Sequence, residues 1–597
     1  MSQVDLLVIG GASLDVLHFA GQTVRSAGGA GLYTAAAAAR SGATVAMYGP
    51  RPDPLPAALA PATDAFTWFG PLVPLDQMPR FEIAHEGGGK TAMLDAFFGA
   101  EAALDPDGLP DDLSHYGLVH NVPLGSVRRQ LAFVRACRAR GARRISAGTF
   151  LDAVTRDPDA VRALIAGCDL FFMNRGEAGG LFGAPQAART AAGKLLFVTL
   201  GADGALVVQG DHVTHLAGQP AHELDPTGAG DTFCGATLAA LARAEHPVMA
   251  ARQGIALAAH MIGAVGPTAL WEKGAPPAPA DDPRVRVAWS QVARVAGLIA
   301  ALPEVQPFDF TGPDFPPAGH PAASDYFASA TLQQFGFWFE AAGRYSHPLV
   351  AALEGAVHKG SDYLWRAWLR PLGSDPGFYT PARQAALTAA DLEALFRADD
   401  GAMPMPALDL HLAQAQAYGR DMLALALSPA ALVAAANRAP RPLAAFLAGL
   451  DHVGGYKEDP LRKKAGLLAL ILAQRPERWL HPGPAEVFPP VIDYHLMRSC
   501  LRIGLVEVLD AGLAEALIGR RQVTPDQEWA VRLAAYRAVE ALARRSGRSM
   551  GAVDWFFFNA RRRCPEMTEP ECSRCPVDPV CAHRKELFQP VVRTVFY

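Results

Sequence analysis

Residues 4 to about 270 alternate short apolar runs with helix-forming stretches. VDLLVIGG, TVAMYG, LVHNV, RRISAGTF, DLFFMN and LLFVTLG read as buried strands, and VRRQLAFVRACRAR as one of the helices between them. That rhythm predicts an α/β fold with a mainly parallel sheet. RFEIAHEGGGKTAML breaks the pattern and reads as a hairpin able to form a small β lid.

WEKGAPPAPADDP, residues 271 to 283, is rich in Pro and small residues and is the best linker in the chain. The predicted division is a domain over 1–270, a linker over 271–290 and a second domain over 291–597. Beyond about 290 the strand signal fades. LEGAVHKGSDYLWRAWL, KKAGLLALILAQ, DYHLMRSCLRIGLVEVL and EWAVRLAAYRAVEALARR all read as helices, the last behind a capping box at Thr524-Pro-Asp-Gln527. The second half is therefore expected to be mostly α, and no internal repeat is visible.

A length of 597 residues exceeds one core, so two or three domains are expected. Hydrophobic residues make up 50% and charged residues 19%, a globular composition. A net charge of -5 and a pI near 6.4 argue against attachment to nucleic acid through bulk positive charge. The start, MSQVDLLVIGGASLD, lacks the basic and apolar parts of a signal peptide. The nearest thing to a membrane span, AGLYTAAAAARSGATVAMYG, is broken by Arg40. A cytoplasmic protein is expected. In a reducing compartment clustered cysteines bind metal more readily than they pair. Cys137, Cys168, Cys234 and Cys500 are scattered and read as buried thiols.

ELDPTGAGDTFCGATLAALA carries the clearest chemistry. The turn Gly228-Ala229-Gly230 leads into an apolar helix, whose first backbone N–H groups can hold a phosphate. Asp231 follows, placed to take a proton from an attacking hydroxyl. With the rest of the half, this segment resembles the ribokinase family of sugar and nucleoside kinases. GGASLD supplies Asp15, whose family counterpart binds sugar hydroxyls. AGGAG supplies the diglycine Gly28-Gly29. NRGE supplies Asn174 and Glu177, which by resemblance organise Mg2+ and phosphate, and TLGADG supplies Thr199, Gly201 and Gly204 of the nucleotide-binding turn. The family usually has Asn a few residues after the diglycine, where this chain has Tyr33. Tyr33 is compatible with a substrate bearing an aromatic base and with a weakened site. The resemblance implies in-line transfer of the ATP γ-phosphate to a primary hydroxyl.

Near the C-terminus the spacing is Cys564-x7-Cys572-x2-Cys575-x5-Cys581. Four thiolates suit zinc or a [4Fe–4S] cluster. The spacing is one residue from that of endonuclease III-like glycosylases, which favours iron–sulfur. GLDHVGGYKEDPLRKKAGLLALIL resembles a helix–hairpin–helix, with Val453-Gly454-Gly455 as the hairpin. VIDYHLMRSCLRIGLV resembles the segment carrying the catalytic Asp of those glycosylases, here Asp493 with His495 and Arg498; Asp493 also reads as a helix N-cap.

QFGFWF, FYTPARQAALTAADLEALFRADDGAMPM, GGYKEDPLRKKA, IDYHLMR, EWAVR and the terminal VVRTVFY resemble, in order, the queuosine 5′-phosphate N-glycosylases (queuosine salvage proteins). That family lies within the helix–hairpin–helix glycosylase superfamily. The resemblance points again to Asp493 as the catalytic carboxylate and to Phe337 and Trp338 as a grip on a flat base, although FGFWF reads equally as core. Tyr456 falls in the matching GGYKEDPLRKKA stretch. The basic run Lys457, Arg462, Lys463 and Lys464 can hold a 5′-phosphate or form a solvated helix face. The cysteine run departs from the queuosine family and leaves the base open. Together the halves imply a bifunctional salvage enzyme. It would use Mg-ATP to phosphorylate queuosine or a related nucleoside at O5′, then hydrolyse the N-glycosidic bond to free base and ribose 5-phosphate. The rival is a helix–hairpin–helix DNA glycosylase fused to a sugar kinase. Expected partners are the nucleoside and its 5′-phosphate, without nucleic acid or membrane; a homodimer is a compatible assembly.

Overall fold

The computed structural model describes residues 4–19, 21–87 and 90–597. The chain divides into two compact units, Met1–Ala280 and Asp281–Tyr597.

In the first unit Val4–Ile9 lies in parallel between Val45–Tyr48 and Tyr116–Asn121. Ile145–Gly148, Leu170–Asn174 and Leu195–Thr199 continue the parallel sheet on one side, and Thr67–Phe69 closes the other. Ala205–Gln209 and His212–Leu216 extend it as antiparallel strands. All six strands read from the sequence are in this sheet. Their side chains are buried on both faces, which explains the unbroken apolar runs. The helices Ala30–Arg40 and Ala229–Ala242 pack closely because their residues are small. A Cβ on Gly235 would fall 2.2 Å from the carbonyl oxygen of Thr34.

The lid is a separate sheet of Ser13–Phe19, Gln22–Gly28, Arg80–Gly87 and Lys90–Phe97. The last two strands form the expected hairpin, whose turn residues 88 and 89 lie outside the described residues.

The Pro-rich stretch 271–290 is divided between the units. Arg40 donates to the carbonyls of Gly274 and Ala275 at 2.7 and 3.0 Å, tying that end to the first unit. Val285–Val287 pairs antiparallel with Val506–Val508 and so belongs to the second.

The second unit is mainly helical. The long helix Pro525–Ser546 starts at the Thr524/Gln527 capping box, and Tyr494–Ile503 ends where Gly504 turns left-handed at φ 84°. One expected helix is partly a hairpin: LEGAVHKG belongs to the antiparallel strands Val350–Leu353 and Ala356–Lys359, and the helix begins only at Ser361. Glu354 and Gly355 both have positive φ, 54° and 79°, the geometry of a tight two-residue turn. Among the described residues no single helix is long and apolar enough to cross a membrane.

Candidate active sites

A cavity of about 200 Å³ in the first unit lies between the lid and the sheet, lined by Asp15, Gly29, Tyr33, Gly228 and Asp231 among others. The sequence separates these residues by more than 200 positions; the chain crossing of the α/β fold gathers them. Asp15 sits on a lid strand and accepts from the Phe81 N–H at 3.2 Å. Burial pushes its carboxyl up to about 6, against the pull of hydrogen bonds from Ser13 and Phe81. Gly28 lies behind Asp15, where a Cβ would stand 1.8 Å from its Oδ2; Gly29, at φ 97°, passes the Gly11 carbonyl. The diglycine thus makes room for Asp15 itself.

Gly228 caps the Ala229–Ala242 helix in the left-handed region, φ 77°. A Cβ there would fall 2.5 Å from the Tyr33 ring, so Tyr33 packs directly on the turn. Tyr33 is buried and its hydroxyl has no hydrogen-bond partner. Ala229 donates to Pro226, whereas Gly230 has open space beside its Cα. Asp231 follows in the first turn, partly open to the cavity. The surrounding protein mass pushes it up to about 6. The lid reaches this segment too: His85 Nε2 lies 2.9 Å from Thr227 Oγ1 and 3.3 Å from the carboxylate of Asp225.

Asn174 ends a strand and caps the next helix. Its backbone and side-chain nitrogens donate to Glu177 at 2.8 and 2.7 Å. Burial first, and the charge of Asp231 among lesser causes, push Glu177 up to about 7. The amide oxygen of Asn174 and the carboxylate of Glu177 are oxygen donors of the kind that suits a hard divalent cation. Thr199 pairs with Asn174 across the sheet, which sets the nucleotide-binding turn beside it. Gly201 and Gly204 have positive φ, and a Cβ on Gly204 would strike the Leu216 carbonyl at 1.9 Å.

Glu101 was missed in the sequence. It is buried, lines the first cavity and accepts the Gly11 N–H at 2.6 Å.

In the second unit a cavity of about 370 Å³ has aromatic walls that include Phe308, Phe337, Trp365, Trp555 and Phe558. Asp493, Lys463 and His495 face it. Asp493 caps the Tyr494–Ile503 helix, accepting from Leu496 N at 2.9 Å, so its cap role and its cavity position hold together. Burial raises it, and Lys463 opposes the rise. Asp554, not read from the sequence, faces the same space. Burial and then Asp493 push it up to about 8. The clue was SMGAVDWFFF, a lone carboxylate inside an apolar helix. Lys463 is lowered by burial to about 8 and donates to the Gln334 carbonyl at 2.9 Å. Gln334 also lines the cavity, with its buried amide nitrogen lacking a partner.

Four expected contacts are placed elsewhere. Trp338 packs away from the cavity, stacked on Tyr345 with the Arg593 guanidinium 4.0 Å over its ring. Tyr456 donates to the Ala328 carbonyl at 2.5 Å in the core. Lys457 pairs with Asp421 at 2.8 Å, and Lys464 donates to the Leu332 carbonyl at 3.1 Å. The basic run is thus neither one phosphate grip nor a solvated face.

Cys564, Cys572, Cys575 and Cys581 are unpaired and partly exposed. Each of the last two is raised by burial and then by charge on the other cysteines of the group. Arg502 donates to Cys564 Sγ at 3.3 Å and His583 N to Cys581 Sγ at 3.4 Å. Four cysteine sulfurs in one short loop, two of them approached by N–H donors, are a donor set that suits a metal centre. Among the described residues the ligand atoms that lie within 4.8 Å of one another are those of Cys572, Asp578 and His583.

Residues 123–273 match the family described as pfkB family carbohydrate kinase. This stretch carries Asn174, Glu177, the 199–204 turn and Gly228 to Asp231, so the kinase-like match falls on the residues read as the nucleotide and phosphate site. A cytidine kinase of Thermococcus kodakarensis is 27% identical over 251 residues, covering 40% of this chain and 89% of the relative. Among solved structures, a probable sugar kinase protein from Rhizobium etli is 21% identical over 45% of this chain and 95% of its own, with TM-score 0.40. Adenosine kinase from Sinorhizobium meliloti is 21% identical over 45% and 96%, with TM-score 0.38.

Proposed function

We propose that the protein is a bifunctional nucleoside salvage enzyme. The first unit transfers the γ-phosphoryl group of ATP to the O5′ hydroxyl of a nucleoside of the queuosine or related 7-deazaguanine class. The hydroxyl oxygen bonds to the γ-phosphorus, the bond to the β-phosphate oxygen breaks, Asp231 takes the hydroxyl proton and ADP leaves. Asp15 binds the sugar, and Asn174, Glu177 and the 199–204 turn hold Mg2+ and nucleotide. Mg2+ supplies charge neutralisation at the phosphates. Nucleoside kinase chemistry is what the cytidine kinase relative carries by name.

The second unit hydrolyses the N-glycosidic bond of the nucleoside 5′-phosphate. Water gives its hydroxyl to C1′ and a proton to the departing base nitrogen. Asp493 stabilises the cationic sugar or activates the water, while Phe337 and its aromatic neighbours hold the base. The observation that carries this reading is the aromatic-walled cavity in which Asp493, Asp554 and Lys463 perturb one another's protonation. Flat apolar walls suit a nucleobase, and paired groups of displaced acidity suit acid–base work. Against DNA as substrate, the hairpin amides are already engaged: Gly454 N donates to Asp421 at 2.8 Å and Gly455 N to Glu458 at 3.2 Å. Cys564, Cys572, Cys575 and Cys581 would hold the [4Fe–4S] cluster, which supplies a structural cross-link.

The test is incubation with queuosine and a panel of nucleosides, with and without ATP, followed by mass spectrometry. ATP-dependent release of free base is expected. Base release without ATP would break the coupling, and tight, salt-sensitive binding of duplex DNA would favour the repair reading.

A further inference from the structure

Hydrolysis moves no electrons, so the cysteine loop needs another reason to sit in this unit. The loop sends one side chain inward. Glu566, two residues after Cys564, is 2% exposed. Its Oε2 accepts from Tyr345 Oη at 2.8 Å and pairs with Lys359 at 3.3 Å. Its buried Oε1 has no hydrogen-bond partner and lies 3.7 Å from Arg498 Nη1 and 3.6 Å from His495 Nδ1, so it meets Arg498 as an ion pair. Gln589, from the tail that follows the loop, accepts from Arg498 Nη1 at 2.8 Å. The guanidinium is therefore hydrogen-bonded by the tail and faced by the loop's buried carboxylate charge.

Arg498 in turn puts Nη2 3.0 Å from His495 Nδ1. A guanidinium only donates, so Nδ1 is the acceptor and carries no proton. The proton of the neutral ring must then sit on Nε2. His495 lines the same cavity as Asp493, two residues before it on the helix cap. Lysine and arginine neighbours, after burial itself, hold the ring neutral.

We propose that Glu566 is a positioning residue through which the four-cysteine loop fixes Arg498, and Arg498 fixes His495 as the Nε2–H tautomer. His495 then offers the bound nucleotide a neutral hydrogen-bond donor beside Asp493, for an acceptor such as a base carbonyl, a ring nitrogen or a sugar or phosphate oxygen. It is not a second general base. The role of His495 toward ligand rests on the glycosylase reading of the cavity; the tautomer lock does not. Arg502, one turn beyond Arg498 on the same helix, donates to Cys564 Sγ and to the Pro565 carbonyl, so a loaded cysteine site braces both arginines.

The experiment uses the full chain with ring-15N-labelled histidine, its cysteine site loaded and checked by metal content, and His495 assigned by loss of its signals in His495→Gln. Wild-type His495 should show the Nε2–H tautomer. Glu566→Ala should convert it to a tautomer mixture, and Glu566→Gln, which keeps a carbonyl oxygen facing Arg498, should restore it. Removing the metal with a chelator should reproduce the Ala pattern in the wild type. If Glu566→Ala fails to load metal, Arg498→Met, which takes away the donor facing Nδ1, should give the same mixture. A His495 pattern unchanged by metal removal, or by both Glu566→Ala and Arg498→Met, overturns the proposal. Base release should fall roughly tenfold in Glu566→Ala and recover in Glu566→Gln, the size expected for one lost hydrogen bond. Absence of base release in the wild type would sink the glycosylase reading alone, since the tautomer measurement stands without it.

Discussion

Asp231→Asn should make the first unit more stable while disabling it. Burial holds Asp231 up at about 6 against an ordinary 3.8, so its ionised form is disfavoured in the folded state by about 3 kcal/mol. Asparagine is close in shape and carries no such charge. The sign follows from the raised value. Below 3.8 the carboxyl is protonated both folded and unfolded, and the substitution gains nothing. As pH rises from there through 6 the wild type loses stability that the variant keeps. The gain should be roughly 1 kcal/mol at pH 4.5 and about 3 kcal/mol at pH 7.5, the latter an upper figure because Asp231 is partly open to the cavity. Phosphorylation of nucleoside should fall by roughly 10² to 10⁴ in kcat, the usual contribution of a positioned base. The assay is calorimetry of the full chain without Mg2+ at the two pH values, the first unit's transition identified by its shift with nucleotide. A variant no more stable at pH 7.5, or equally more stable at both, would refute the reasoning that this carboxylate is held at a cost for catalysis.

Gly228→Ala should abolish kinase activity and lower the first unit's melting temperature, because the new methyl meets the Tyr33 ring at 2.5 Å in a backbone region that disfavours any side chain. Asp459→Ala should destabilise the second unit by roughly 3–5 kcal/mol in urea titration, because it strands Arg532, which is fully buried and bound to Asp459 at 2.7 and 2.8 Å. Cys575→Ser should lose the broad visible absorbance of an iron–sulfur centre and lower the second melting transition, with kinase kcat/KM unchanged.

The first unit was legible because its strands are buried on both faces and its glycines answer to fixed contacts. Where the sequence misled, the deciding partner lay far along the chain or on the other face of an element. Lys457 reads as a free cation until Asp421 is brought to 2.8 Å from it by the fold. Phe337 and Trp338 read as a pair, yet the chain enters a strand at Trp338, where successive side chains point to opposite faces. Phe337 therefore reaches the cavity and Trp338 packs on Tyr345. The hairpin within LEGAVHKG was hidden because its turn rests on Glu354 at positive φ, a conformation that residue type does not announce. What the fold adds to Asp493 and to the cysteine loop is company, in Asp554, Lys463 and Glu566.

That company gives the second cavity a narrow working state. Asp554 and Lys463 are displaced in opposite directions, the acid up and the base down, and both reach about 8. Below that value Asp554 is neutral and Lys463 is positive, so the cavity can accept the two negative charges of a phosphate monoester. Above it Asp554 gains a negative charge and Lys463 loses its positive one, and both changes repel the same ligand. The two groups face one space and titrate as a coupled pair, so they lose their protons in two steps on either side of 8 that belong to the pair. KM for the nucleoside 5′-phosphate should therefore rise by roughly tenfold or more between pH 7 and 9, while affinity for the uncharged nucleoside changes little. Steady-state base release and equilibrium binding, followed by the fluorescence of Trp365 and Trp555 on the cavity wall, would read both. Asp554→Asn should remove part of the rise by taking away one of the two charges. A KM that stays flat across this range in the wild type would mean that the nucleotide's phosphate lies out of reach of both groups, and the cavity's charge would then have to be explained by the base alone.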